Sequence, residues 1–64
     1  MSSGSENLRE ELRGLLYSSK RLEEELREAL ARSGKKYSGW VNLRNAYLLS
    51  LSIRRRLERM LALI

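Results

Sequence analysis

Apolar and small residues recur along this chain in alternating steps of four and three. From Leu8 they fall at Leu8, Leu12, Leu15, Ser19, Leu22, Leu26 and Ala29, which is the seam spacing of a coiled coil and predicts an amphipathic helix. Leu16 and Leu30 widen the stripe on one flank. The opposite face carries Arg13, Tyr17, Arg21, Glu24 and Glu28 and reads as solvated. Glu23 with Arg27 and Glu28 with Arg32 are favourable pairs four apart, worth about 0.2–0.5 kcal/mol each. A second series runs through Leu43, Ala46, Ser50, Ile53, Leu57, Met60 and Ile64 and predicts a second helix.

The boundaries follow from local chemistry. Residues 1–4 are expected as a flexible polar leader. Ser3 or Ser5 is placed to cap the first helix, and Ser3 with Glu6 has capping-box spacing. Ser33-Gly34 stops that helix, because glycine tolerates the left-handed C-terminal cap and Arg32 suits the last turn. The pattern predicts helix 1 over about 5–33, a loop over about 34–38 and helix 2 over about 39–63, with Ser38 as its cap. Residues 5–64 therefore read as one antiparallel helical hairpin, all-α and coiled-coil-like. Closing it at the loop brings Ala29 near Leu43, Leu26 near Ala46, Leu22 near Ser50, Ser19 near Ile53, Leu15 near Leu57 and Leu12 near Met60. Small residues then tend to face large ones.

The two helices are not equivalent. Helix 2 has further apolar residues off its seam, including Trp40, Val41, Tyr47, Leu48, Leu49 and Leu51, and such a segment needs cover on more than one side. Helix 1 supplies one side only. Trp40, Val41, Tyr47, Leu48, Leu51 and Arg55 are therefore the expected interface, with Arg44 also punctuating the patch. Ser19 and Ser50 on the seam and Asn45 on the flank of helix 2 are the expected core polar residues. They either form a cross-helix network or, for a serine, bond the preceding turn of their own helix.

Length makes this surface matter. A chain of 64 residues leaves much of itself in water. With no Cys and no His, neither disulfides nor the usual metal ligands can staple it, so oligomerisation or a bound partner remains. The charge is lopsided: residues 1–34 carry six Lys or Arg against seven Glu, and residues 35–64 carry seven against one.

Other chemistries find little material. Without Cys or His there is no ordinary activated nucleophile, and the glutamates alternate with arginines instead of converging; the chain is read as no enzyme, with no cofactor and no metal. Arg54-Arg55-Arg56 with Arg59, and Lys35-Lys36-Tyr37, offer a basic footprint. Three consecutive arginines on a helix point three ways, however, and one should lie beside the seam facing Glu10, Glu11 or a neighbouring subunit; no recognition motif supports nucleic-acid binding. The apolar run from Trp40 to Ile53, interrupted by Arg44, falls short of the roughly 20 residues of a membrane span. A soluble protein is expected, cytoplasmic if made in a cell.

Two seven-residue-repeat helices and a short polar turn resemble, in layout across nearly the whole chain, the Rop family of dimeric four-helix bundles. No residue carries that family's RNA-contacting surface across. Leu22-Glu23-Glu24-Glu25-Leu26-Arg27-Glu28-Ala29-Leu30 is similar to the idiom of de novo designed helical hairpins, and the Ser-Gly-Ser leader resembles a cloning remnant. Helix 2 departs from that idiom at Trp40, its two Asn, Leu48-Leu49 and the triple Arg. The resemblance implies a hairpin that assembles into a helical bundle through helix 2, as a dimer or else as a trimer with helix 2 inside. The other reading is a module whose helix 2 docks on a different protein.

Overall fold

A computed structural model describes residues 3–64 and shows two helices, α1 (Ser3–Ser33) and α2 (Trp40–Leu63), packed against each other. Met1 and Ser2 of the expected leader lie outside the described residues, as do the side chains of Ser3 and Ser5 on which the expected cap depends. Ser3 and Gly4, expected in the leader, are helical. The hairpin is a rod of 55 × 14 × 13 Å, as two helices of this length at 1.5 Å per residue must be. None of the described helices is long and apolar enough to cross a membrane.

Gly34 ends α1 with φ +68°, the left-handed conformation that glycine adopts without a Cβ penalty. Tyr37 N–H donates to Gly34 O at 3.4 Å and Trp40 N–H to Tyr37 O at 3.0 Å, so two successive turns reverse the chain. The expected cap at Ser38 is corrected. Gly39 is the N-cap of α2, and no side chain caps it. The Tyr37 ring lies over Gly39 so closely that a Cβ there would meet it at 2.6 Å, so the turn is closed by ring-on-backbone packing in place of a hydroxyl.

The least exposed faces of the two helices again step by three and four. They run through Leu12, Leu16, Ser19, Glu23, Leu26, Leu30 and Ser33 on α1, and Trp40, Leu43, Tyr47, Ser50, Arg54, Leu57 and Leu61 on α2. Taken in reverse order, these form antiparallel layers from Ser33 with Trp40 at the loop to Leu12 with Leu61 at the free ends. This corrects half of the expected seam. Leu12, Ser19, Leu26, Leu43 and Leu57 remain at the helix contact, but Leu8, Leu15 and Leu22 of α1 and Ile53 and Met60 of α2 are about half exposed. Each helix is turned so that Leu16 and Glu23 replace Leu15 and Leu22 as main contacts, and Arg54 and Leu61 replace Ile53 and Met60, while near the loop Ala29 and Ala46 stay half-buried beside Leu30 and Tyr47.

Candidate functional site: the two edges of the hairpin

The rotation is explained by what occupies the middle of the seam. Arg54 Nε donates to Glu23 Oε2 at 2.6 Å, and Arg54 Nη1 donates to Glu58 Oε1 at 3.0 Å. The side chains of Glu23 and Arg54 are only 16 % and 23 % exposed. In the antiparallel layers Glu23 is level with Ser50 and Arg54 with Ser19. A serine opposite each long charged chain leaves room for it to lie along the seam, whereas a leucine would fill that space. Ser19 and Ser50 are themselves 7 % and 1 % exposed.

These serines form no cross-helix network. Ser19 Oγ donates to Leu16 O at 2.8 Å and Ser50 Oγ to Tyr47 O at 2.6 Å, both to the preceding turn of their own helix. Asn45, expected with them in the core, is exposed on the outer side of α2. The cross-helix polar element is the Glu23–Arg54–Glu58 chain, which no sequence pattern singles out. Among the described residues no buried side-chain N or O lacks a hydrogen-bond partner. The Arg54 guanidinium is held above its ordinary pKa first by its hydrogen bond to Glu23 and then by the charges of Glu23 and Glu58, against the opposing effect of burial. One arginine of the triplet does reach the seam, as expected, but it faces Glu23 and not Glu10 or Glu11.

The Glu23–Arg54 pair marks one long edge of the rod. A groove of about 270 Å³ there is lined by Lys20, Glu23, Glu24, Arg27, Arg54 and Glu58, three cations and three anions that largely neutralise one another. Leu22 and Ile53 precede the pair by one residue each. One residue is a helix rotation of roughly 100°, and because the helices are antiparallel this rotation carries both side chains to the opposite edge. There, at seven-residue spacing, stand Leu8, Leu15, Leu22 and Ala29 of α1 and Ala46, Ile53 and Met60 of α2. The five large residues among them are 48–54 % exposed. At the loop end this apolar edge hollows into a groove of about 580 Å³ lined by Ala29, Ser33, Tyr37, Gly39, Asn42, Leu43 and Ala46.

The residues expected as the interface are divided between two locations. Tyr47 is half-buried in the seam and Leu51 is half-buried beside it. Val41, Leu48 and Arg55 are exposed on the outer side of α2. Half-buried Trp40 lies under the Arg44 guanidinium, 5.7 Å from the ring centroid, a cation–π arrangement that covers part of the indole. The sequence pattern assigns the residues of this apolar edge to the seam. The signal for it is present in the sequence, since Leu16 and Leu30 add a third stripe of seven-residue spacing to the two that one seam uses. No protein family, curated protein or solved structure with which the chain was compared matches it.

Proposed function

We propose that this chain is a self-associating structural module, two copies packing their apolar edges together into a four-helix bundle. The observation that carries the reading is that both helices turn large apolar side chains to the same edge while, among the described residues, Leu12 is the one buried hydrophobic residue, at 5 % exposure. Each helix of a four-helix bundle touches two neighbours, so its apolar arc must extend past the intramolecular contact on one side. Leu8, Leu15 and Leu22 provide that extension on α1, and Ile53 and Met60 on α2.

The area agrees in size. The hairpin exposes 5243 Å², whereas a folded monomer of 7.5 kDa is expected to expose about 4,200 Å². The difference of about 1,000 Å² compares with roughly 800 Å² buried per partner in a standard interface. A chain with neither cysteines to cross-link nor a buried core of several leucines needs such a partner to repay its conformational entropy.

A second reading rests on the outer side of α2, where exposed Val41 and Leu48 adjoin the Arg44–Trp40 pair. This face would dock on another protein, or meet its own copies in a trimer with α2 inside. Nucleic-acid binding has less support, because Arg54 is committed to Glu23 and Glu58. Sedimentation equilibrium over a hundredfold concentration range decides between these readings. The edge-to-edge dimer predicts a limiting mass twice that of the chain, lowered to the monomer by Leu22→Glu with Ile53→Glu and left unchanged by Leu48→Glu. Dissociation by Leu48→Glu alone would transfer the interface to the outer face, and a folded monomer at every concentration would exclude self-association.

A further inference from the structure

The apolar edge is not uniform along its length, and its shape bears on how a second copy must lie. Near the loop the edge residues are Ala29 and Ala46, with Ser33 and Gly39 beside them, and the surface is concave over about 580 Å³. Toward the free ends the same heptad positions are filled by Leu8, Leu15 and Met60, with Ile64 beyond. One end is hollow and the other is built out.

We infer that the second copy lies with its loop at the opposite end of the rod, so that the built-out end of each hairpin fills the hollow end of the other. This rests on the edge-to-edge self-association proposed above. A two-fold axis perpendicular to the rod brings Leu8 of one copy over Ala29 of the other, and Met60 over Ala46. The two stripes agree on where that axis passes. The α1 stripe from Leu8 to Ala29 has its midpoint between Leu15 and Leu22, beside Ser19. The α2 stripe from Ala46 to Met60 is centred on Ile53, next to Arg54. Ser19 and Arg54 occupy the same layer of the hairpin, so a single axis through that layer makes both stripes self-complementary, as an isologous interface requires.

The alternative, with both loops at one end, lays α1 of one copy over α2 of the other and sets Ala29 against Ala46, Leu22 against Ile53 and Leu15 against Met60. It leaves the two grooves facing each other unfilled at the loop end, and unfilled apolar volume is costly because the lining atoms lose their contacts. Toward the free ends it crowds Leu15 against Met60, two large side chains with no hollow to receive either.

The orientation is read directly from a loop-to-loop distance. Lys36 is exposed in the loop, and the chain has no other cysteine to compete, so Lys36→Cys carries a single nitroxide. Dipolar spectroscopy is recorded at a concentration where sedimentation gives the dimer mass. The inference predicts a separation approaching the 55 Å length of the rod. A distance near two helix diameters, about 20 Å, would overturn the orientation while leaving self-association standing. Absence of a dipolar signal together with a monomer mass would overturn both.

Discussion

The two long edges of this hairpin are built from neighbouring residues and have opposite character. Glu23 and Arg54 bridge the helices along one edge; Leu22 and Ile53, one residue earlier on each helix, stand uncovered along the other. The charged edge is balanced within one chain: Arg54 pairs with Glu23 and Glu58, and the serines behind them give them room. The apolar edge has nothing within the chain to cover it. A hairpin with Ser19, Glu23, Ser50 and Arg54 in the middle of its seam turns part of its apolar surface outward, the surface on which the proposed second copy packs.

The largest effects are expected from charging the open edge. Leu22→Glu with Ile53→Glu should weaken the dimer by more than about a hundredfold, because four unpaired carboxylates would be buried per dimer. Lys20→Glu, an equal change of charge per chain placed on the other edge, should leave the dimer within about threefold of its original affinity; sedimentation equilibrium measures both. Between the edges, Leu12→Ala should cost about 2–3 kcal/mol in urea unfolding, the low part of the usual range for a buried leucine, since Leu12 lies near the open end of the rod.

The charged edge itself is probed next. Arg54→Ala should lower the unfolding midpoint by leaving Glu23 half-buried without its cation. Glu23→Leu with Arg54→Leu should restore or exceed the original midpoint, as replacement of buried ion pairs by apolar residues often does. The double variant should lose uniqueness of pairing. A slip of one heptad sets Glu23 opposite Leu43 or Leu57 in place of Ser50, which the charge forbids and a leucine does not. Cysteine cross-linking between α1 and α2 would then show more than one register. The smallest effect lies at the turn, where Gly34→Ala should cost about 1 kcal/mol for its left-handed backbone and leave the dimer affinity per folded hairpin unchanged.

Helix number, antiparallel direction and the Gly34 stop were legible in the sequence, because heptad spacing and a glycine cap are local signals. The rotation of each helix was not. The leucines of α1 fit two adjacent frames, one through Leu15 and Leu22 and the other through Leu16, Glu23 and Leu30. Residue-by-residue hydrophobicity favours the first. The fold takes the second, because Glu23 meets Arg54 from the other helix and neither Ser19 nor Ser50 obstructs them. A pair of compensating charges separated by thirty-one positions has no local signature. The turn hid its cap in the same way, since Tyr37 over Gly39 is a packing contact and not a motif.

Side-chain footprinting against concentration tests the difference between the edges most directly. Met60 lies on the apolar edge and Tyr17 on the outer face of α1, exposed at 69 %, and both react readily with hydroxyl radicals. As concentration rises through the association range, the account predicts that Met60, Leu15 and Leu22 become protected together while Tyr17, Val41 and Leu48 keep their reactivity. Protection of Val41 and Leu48 with Met60 unchanged would contradict it and place the contact on the outer face of α2.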